Sequence, residues 1–419
     1  MKLISTTLYS GLITIVKTTA AFVSTKIVAM FVGAAGVATI GAFGNFLNIV
    51  LAFANGAIQT GVVKYTAEYQ DDVEKSKKLF STSFRISVLC SLAIGALLLA
   101  LSNWLSTLIF ATSQYGTIVR VLGVTIVFYA LNSLLISVLN GKGLIKIYSI
   151  VNMAGSLLGL VLTCVLVYFF QIEGALLALI LSQTAIFFVS LFIVYKKKLI
   201  VHEIKWSLYD RDIAKKLSGY SLMAIVSAMT VPVAQILIRN MLTVNMGIDS
   251  AGIWQGMIRV SDAYLLIINT ALGTYYLPKL STLIDREDIT RELYKGFKLI
   301  MPLVVVSCLI MYVLRFFVIR ILYTPEFYIM EELFLWQLLG DIFKIAAFLL
   351  AYLMLAKALT KVYIITEIIF SVLYVVLSYI MIPIYGVKGA TLAFFFNYIG
   401  YFVFMSIYFK DYLFRNGRV

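Results

Sequence analysis

The sequence predicts an all-α membrane protein with twelve transmembrane helices in two six-helix lobes. Of its 419 residues, 62% are hydrophobic and 13% are charged, whereas soluble domains contain about 45–50% apolar and about 25% charged residues. Apolar runs of about 20 residues, enough to cross a hydrocarbon core of about 30 Å, recur along the whole chain. Because the runs are continuous and lack the alternation of barrel strands, we predict helices.

Twelve apolar windows give the order of these helices. They cover residues 6–32, 37–62, 81–110, 116–139, 149–169, 175–195, 217–242, 251–278, 299–322, 331–355, 364–383 and 389–409. The first window is too long for a signal peptide and lacks a cleavage site of small residues, so we expect it to be kept as a helix.

Basic residues set the orientation, because short cytoplasmic loops of membrane proteins are enriched in lysine and arginine. Of the 34 Lys and Arg residues, 24 lie near the termini or in the loops that follow even-numbered windows, and one, Lys388, lies in a loop that follows an odd-numbered window. Both termini are therefore predicted to be cytoplasmic. The net charge of +14 is assigned to this topology and to attraction by anionic lipids, and no nucleic-acid partner is predicted.

The two halves of the chain repeat one another. The matching positions are Gly41 with Gly252, Lys142 with Lys357, Tyr148 with Tyr363, and Gly174-Ala175 with Gly389-Ala390. Six crossings return the chain to the same side of the membrane, so the halves are parallel and enclose a central cavity. We predict an N-terminal lobe at 1–200, a cytoplasmic linker at 201–216 and a C-terminal lobe at 217–419. The alternative is a chance match among abundant residues.

Charged side chains inside the windows predict a cationic cavity. A charge at the bilayer centre costs roughly 2.5–3.5 kcal/mol, so such residues face a cavity or one another. The cations are Lys17, Lys26, Arg120, Arg239, Arg259, Arg315, Arg320 and Lys344, and the anions are Asp262, Asp341 and Glu367. The positive surplus favours an anionic cargo, since Lys and Arg bind phosphate oxygens directly.

Polar residues lie on single helix faces at 100° per residue. Gln255, Arg259 and Asp262 share one face of the eighth window, and amides form a stripe along the second window. The predicted substrate-binding residues are Lys17, Lys26, Arg239, Arg259, Asp262, Asp341, Lys344, Asn48 and Gln255. Lys26 lies on the opposite side of a straight helix from Lys17, so it either lines the cavity or reaches to the outer interface.

Several of these features keep a second interpretation open. Opposite charges at i,i+3 spacing meet on a helix, so each such pair either binds cargo or only neutralises itself for insertion. The pairs are Arg259–Asp262 and Asp341–Lys344.

Glu367 occupies the repeat position of Asn152 and is predicted either as a protonatable coupling group or as a neutral or paired acid. Pro232 predicts a kink in the seventh window, either for packing or as a gating hinge. The alternating acids and bases at 285–298 indicate an interfacial helix or a solvated loop.

Few residues suited to metal binding or covalent chemistry are present. Cys90, Cys164 and Cys308 all lie in apolar runs, and His202 is the single histidine. We therefore predict no disulfide framework, no metal site, no catalytic residue and no cofactor. The chain also lacks the Walker A motif of ATP-driven pumps, which leaves a passive or ion-coupled carrier.

Several short motifs resemble those of one transporter family. They are Gly252-Ile253-Trp254-Gln255-Gly256, Ser261-Asp262-Ala263-Tyr264-Leu265, Leu277-Pro278, Asp288-Ile289-Thr290-Arg291-Glu292, Val63-Lys64-Tyr65 and Trp336-Gln337-Leu338. With them the chain resembles the Wzx-type flippases of lipid-linked oligosaccharides, within the multidrug/oligosaccharidyl-lipid/polysaccharide exporter superfamily.

The resemblance implies a V-shaped pair of lobes that moves an undecaprenyl-diphosphate-linked oligosaccharide from the cytoplasmic to the periplasmic leaflet of the bacterial inner membrane. The cargo would be an O-antigen unit or the lipid III of enterobacterial common antigen. The implied protein is a monomer that contacts membrane lipids and works beside the polymerase and chain-length regulator of its pathway. The residues that would hold the diphosphate are Lys17, Lys26, Arg239, Arg259 and Lys344.

Two other classes of function are alternatives to this one. A cation-coupled multidrug exporter of the same superfamily would need carboxylates in the cavity to meet cationic drugs, and the positive surplus disfavours it. A membrane glycosyltransferase or polymerase would need catalytic acids or large outer loops, and the predicted outer loops are short.

Overall fold

The computed structural model describes residues 3–196, 206–272, 276–357 and 359–413. Within these ranges every regular element is helical, and nine helices are long and apolar enough to cross a membrane. The prediction of an all-α, multi-pass membrane protein is confirmed.

The helices follow the predicted windows in order. The first group is α1 (Leu3–Ala54), α2 (Gln59–Glu68), α3 (Val73–Ala100), α4 (Ser102–Phe110), α5 (Gly116–Gly141), α6 (Ile145–Lys196) and α7 (Arg211–Met246). The second group is α8 (Ile248–Ala271), α9 (Leu277–Thr282), α10 (Arg286–Val313), α11 (Arg315–Leu322), α12 (Glu331–Ala356), α13 (Thr360–Tyr385), α14 (Val387–Tyr408) and α15 (Lys410–Leu413). Short 3₁₀ turns at Trp206–Leu208 and Pro325–Met330 precede α7 and α12.

Two of these helices each cover a pair of predicted windows. Both α1 and α6 contain 52 residues, more than twice the roughly 20 residues that one crossing needs. Gly33 (φ 66°, ψ −166°) breaks α1, and Gln171 (φ 52°, ψ −126°) breaks α6. Both breaks fall in the gaps between windows, so each long helix consists of two segments joined by a single non-helical residue.

The break in α6 is strained, and relieving it is expected to stabilise the fold. Glutamine at φ 52° occupies a region that suits glycine, and such a conformation costs about 1–3 kcal/mol. Part of that gain is lost to the greater freedom of glycine in the unfolded chain. Gln171→Gly should therefore raise the free energy of unfolding by about 1 kcal/mol, measured by thermal unfolding in detergent.

The matched control for this prediction is Gln183→Gly, at a position inside the helical part of α6. A glycine in a helix interior is destabilising by about 1 kcal/mol, so the two variants should shift the unfolding temperature in opposite directions. Equal destabilisation by both substitutions would contradict the strain at Gln171.

The break at Gly33 begins a new helical segment whose backbone has partners far along the chain. The Ala34 N–H donates to Glu326 Oε2 at 3.4 Å, which satisfies one of the free N–H groups at the start of a helix. A Cβ added at Gly252 of α8 would lie 1.9 Å from the Ala34 carbonyl oxygen. Glycine at position 252 therefore permits direct backbone contact between α1 and α8.

One predicted window was wrong, and two other segments need comment. The window at 37–62 is interrupted after Ala54, because Gly56 (φ 62°) and Ala57 (φ 52°) turn the chain before α2. In the window at 251–278, α8 ends at Ala271, Leu272 and Tyr276 keep helical backbone angles, and residues 273–275 lie outside the described residues. In the stretch 285–298 the loop interpretation is wrong, because residues 286–298 are helical. They form the first turns of α10, which continues to Val313.

The start of α3 is fixed by a side-chain cap. Asp72 accepts a hydrogen bond from the Lys75 backbone N–H at 3.0 Å, and its carboxylate lies 3.0 Å from Lys75 Nζ. Aspartate is a favoured cap because it satisfies a free N–H of the first turn. The backbone bond holds the pKa of the Asp72 carboxyl below its usual range.

This cap predicts a pH-dependent stability. Because the pKa of Asp72 is lower in the folded chain, the unfolded chain binds more protons, and the stabilisation is present above the unfolded pKa of about 4 and lost as the pH falls through the lower folded value. Asp72→Ala should lower the unfolding temperature at neutral pH, and the difference from the wild type should shrink in acid. Asp71→Ala, at an exposed position outside the cap, is the control and should cause no such difference.

The helices form two compact units. One contains residues 1–32 and 39–232, and the other contains 33–38 and 233–419. The chain passes from the first unit to the second within α7, beside Pro232. The core of the first unit includes Val62, Leu79 and Leu139, and that of the second includes Trp254 and Phe394. The cores bury the apolar faces of the helices and leave polar side chains at defined places on them.

Candidate functional site

The polar residues of the second unit are concentrated on α8 and α12. From Ala251 to Ile258 every side chain of α8 is buried. Along the polar face of this helix, Gln255 is buried, Arg259 is half-buried and Asp262 is exposed. An exposed charge within an apolar helix must meet water or a polar ligand, because exposure to hydrocarbon is costly. The face of α8 that carries Arg259 and Asp262 is therefore the side suited to an ionic cargo.

Asp341 on α12 has no exposed surface and is held by hydrogen bonds from its own helix and from α8. Its Oδ2 accepts bonds from Ser261 Oγ and Tyr264 Oη, each at 2.5 Å. Its Oδ1 accepts a bond from Gln337 Nε2 at 3.4 Å. We call these four residues the Asp341 cluster. The cluster joins α8 to α12 inside the unit.

The Asp341 cluster extends towards α10. Tyr264 Oη lies 3.6 Å from Cys308 Sγ, and the Cys308 thiol lies 3.7 Å from the Leu338 carbonyl oxygen. Gln337 is 2% exposed, and its Oε1 has no hydrogen-bond partner among the described residues. One amide oxygen in this otherwise bonded cluster is therefore left free to accept.

Lys344 contacts aromatic rings. Its Nζ lies 5.9 Å from the ring centroid of Phe348, 5.8 Å from that of Phe394 and 5.9 Å from that of Tyr398. These are cation–π distances, which hold an ammonium without a carboxylate partner. The i,i+3 spacing on α12 suggested that Lys344 meets Asp341. In the structure, the Asp341 carboxylate accepts hydrogen bonds from hydroxyls of α8.

The two remaining candidate residues of the second unit, Arg239 and Glu367, have less exposed side chains than Asp262. Arg239 is buried, and its Nη2 donates to Asn240 Oδ1 at 2.6 Å. Glu367 of α13 is half-buried.

In the first unit, α1 carries three of the predicted binding residues. Lys17 and Asn48 are exposed and Lys26 is half-buried. Their accessibility fits contact with a polar ligand. Within the described part of the chain, no group of three or more His, Cys, Asp or Glu residues is arranged to hold a metal ion.

A cationic and aromatic cluster lies at the end of the first unit that carries α2. Tyr65 and Tyr69 stack with ring centroids 5.7 Å apart, and Lys64, Lys75 and Lys216 lie over their faces. The hydrogen bond between Lys216 Nζ and Tyr69 Oη, at 3.2 Å, raises the pKa of Lys216.

Sequence reasoning missed the role of Ser261 and Tyr264. A buried aspartate must find donors, so Asp341 itself was a signal that hydroxyls lie nearby. Which helix supplies them depends on packing between α8 and α12, and no spacing along the chain encodes that contact.

Comparison with known proteins finds a matching family model and relatives that cover most of the chain. A family model described as polysaccharide biosynthesis protein matches residues 40–332. The lipid III flippases of Escherichia coli K12 and Shigella flexneri are each 31% identical over 402 residues, which cover 96% of this chain and 97% of theirs.

Two solved structures are similar in fold. An inward-facing multidrug resistance transporter of the MATE family, in the MOP superfamily, matches with a TM-score of 0.77 at 16% identity, over 95% of this chain and 98% of that one. The lipid II flippase MurJ, in an inward closed conformation, matches with a TM-score of 0.74 at 18% identity, over 97% of this chain and 87% of that one. At these identities the two structures bear on the fold alone.

Proposed function

This chain belongs to the polysaccharide biosynthesis protein family, and we propose that it moves an undecaprenyl-diphosphate-linked oligosaccharide from the cytoplasmic to the periplasmic leaflet of the bacterial inner membrane. It is a transporter and not an enzyme. The observation that carries the proposal is 31% identity to two lipid III flippases over 96% of the chain. The cargo is lipid III of enterobacterial common antigen or a related O-antigen unit.

The charges support an anionic headgroup as the bound part of the cargo. In the second unit, the proposed diphosphate contacts are Arg259 and Lys344, whose positive groups suit phosphate oxygens. In the first unit, considered by itself, Lys17 and Lys26 offer positive groups of the same kind. Asn48 supplies an exposed amide for sugar hydroxyls. Three further residues of the predicted set are buried in the second unit and stay predictions as cargo contacts. They are Arg239, Gln255 and Asp341.

Transport then requires that the two units expose these groups to one leaflet and afterwards to the other, as in alternating access. The excess of Lys and Arg on one side supports cytoplasmic termini. We propose that the protein acts as a monomer, beside the polymerase and chain-length regulator of its pathway.

The experiment that tests this function is complementation of strains that each lack one flippase. Expression of the chain should restore one surface glycan, and the glycan that returns identifies the cargo. Membrane fractions must contain equal amounts of the protein in every strain. No restored glycan in any strain, together with export of cationic dyes, would overturn the proposal in favour of a multidrug exporter.

A further inference from the structure

Arg85 is a cation of the first unit that the proposed cargo contact does not use. It lies on α3 and is half-buried, near the start of the apolar window at 81–110. Basic side chains at the ends of membrane spans reach to the level of the lipid headgroups, because a charge in the hydrocarbon is costly. The question is what Arg85 binds at that level.

Arg85 begins a row of exposed side chains along one side of α3, as the rotation of 100° per residue places them. The row continues with Leu89, Leu92 and Leu99, which are 51%, 57% and 44% exposed. On the opposite side of the helix Ser87 is buried. In a chain that spans a bilayer, an exposed row of leucines suits acyl chains and not a wet cavity. Arg85 is therefore at the headgroup end of a row that faces lipid.

Two aromatic rings hold the Arg85 guanidinium. Its Cζ lies 5.4 Å from the ring centroid of Trp206 and 4.8 Å from that of Tyr209, and both are cation–π distances. Phe84 packs edge-on against Trp206, with ring centroids 6.3 Å apart. Trp206 and Tyr209 are 48% and 43% exposed, and these two residue types are enriched where a membrane meets water. The rings therefore fix the guanidinium at the membrane interface.

The segment 206–210, which carries both rings, is docked on α3 and leads into α7. The Asp210 backbone N–H donates to Thr82 Oγ1 at 3.0 Å. The Asp210 carboxylate accepts bonds from the backbone N–H groups of Asp212 and Ile213, at 2.9 and 3.1 Å, and thereby caps the start of α7. The carboxylate of the docked segment is therefore engaged by α7 and does not neutralise the arginine.

The N–H donors of Arg85 are left for a ligand. Among the described residues, the guanidinium has no hydrogen bond and no ion pair. Lys78, on the same side of α3, is bound to Glu74 at 3.1 Å. A guanidinium stacked on rings keeps its planar edge accessible, and that edge matches two oxygens of a phosphate. The phosphates of membrane lipids lie at the same level as this edge.

We propose that Arg85, Trp206 and Tyr209 form a binding site for the phosphate headgroup of an anionic phospholipid. An acyl chain of the lipid lies along Leu89 and Leu92. A zwitterionic lipid would also bring an ammonium group, for which the engaged Asp210 carboxylate is a poor partner, so a headgroup with net negative charge is preferred. The site uses no residue of the proposed cargo contact and does not depend on the proposed function.

Native mass spectrometry of the full-length protein tests this site with phosphatidylglycerol, phosphatidylcholine or undecaprenyl diphosphate as the added lipid. The wild type should bind one phosphatidylglycerol more tightly than phosphatidylcholine. Arg85→Gln, which removes the charge, should weaken this binding about tenfold, the lower end expected for a hydrogen bond to a charged group. Arg85→Lys keeps the charge but not the planar donors, and should be intermediate.

Arg120→Gln is the matched control. Arg120 is an exposed arginine of the same unit whose guanidinium already donates to Ser102 and Asn103, and its loss should leave phosphatidylglycerol binding unchanged. Unchanged binding in Arg85→Gln, an equal loss in Arg120→Gln, or equal binding of both phospholipids by the wild type would overturn the inference. If Arg85→Gln lost undecaprenyl diphosphate and kept phosphatidylglycerol, the residue would belong to the cargo path, and the phospholipid site would be refuted.

A second measurement uses the unaltered protein and does not depend on the folding of an Arg85 variant. Phospholipids brominated on their acyl chains quench the fluorescence of tryptophans that they contact, and comparison with Trp206→Phe isolates the signal of Trp206. In nanodiscs, brominated phosphatidylglycerol should quench Trp206 more strongly than brominated phosphatidylcholine at the same mole fraction. Added salt should reduce the difference, because it screens interfacial charges. Equal quenching by the two lipids at low salt would contradict the site.

Discussion

Gly252→Ala is expected to prevent the protein from accumulating in a folded state. The added Cβ would lie 1.9 Å from the Ala34 carbonyl oxygen and 2.5 Å from its carbon, and these backbone atoms cannot move aside as a flexible side chain would. Because Ala34 and Ala251 are both buried, the clash would have to separate two packed helices. We expect a loss of at least about 3 kcal/mol, the upper range for overpacked cores, measured as membrane yield and thermal unfolding in detergent.

Gly44→Ala is the control for this prediction, since it makes the same chemical change on α1. A Cβ at Gly44 has no neighbour within 4 Å, and alanine is the better helix former by about 1 kcal/mol. This variant should fold as well as the wild type or better. Normal yield and stability of Gly252→Ala would contradict the close approach of α1 and α8.

Arg259→Ala is expected to abolish most of the transport activity without loss of protein. A hydrogen bond to a charged group contributes about 1.5–3 kcal/mol, so removal of one diphosphate contact should reduce the rate roughly 10- to 150-fold. Arg259→Lys keeps the charge but not the planar pair of donors, and should be intermediate. The measurement is export of the restored glycan, or transfer of the labelled lipid in proteoliposomes.

Arg320→Ala tests whether loss of any arginine would have the same effect. Arg320 is exposed near the end of α11 and stands outside the proposed diphosphate contact. It should retain wild-type export. Lys17→Ala in the first unit should resemble Arg259→Ala, and full export by either of those two variants at normal protein levels would remove that residue from the binding surface.

The positions of the helices could be predicted from the sequence because a bilayer imposes a fixed length on apolar runs. Even the breaks at Gly33 and Gln171 fall where the windows left gaps. The failures have a common cause. Hydropathy does not separate a span from the turns that extend it, so the continuity of residues 286–298 with the span of α10 was not predicted. The turn at Gly56 was hidden inside an apolar run.

The types of residue in the candidate site could be predicted from the sequence, but their hydrogen-bond partners could not. A surplus of intramembrane cations is visible in composition, and periodicity placed Gln255, Arg259 and Asp262 on one helix face. Periodicity cannot say that Asp341 is bonded to hydroxyls of α8, because that contact joins positions about 80 residues apart. Spacing on α12 pointed to Lys344 instead, the nearest opposite charge along the chain.

The break at Gly33 also bears on how the chain is made. Residues 33–38 belong to the second unit although both flanking parts of α1 belong to the first, and the Ala34 N–H donates to a residue 292 positions later. At about 5–20 residues per second, the ribosome needs roughly 15–60 s to supply that acceptor. Residues 33–38 of α1 therefore lack their native contacts until most of the chain has been translated. If the chain were cut within α7, neither fragment would contain all the residues of one compact unit.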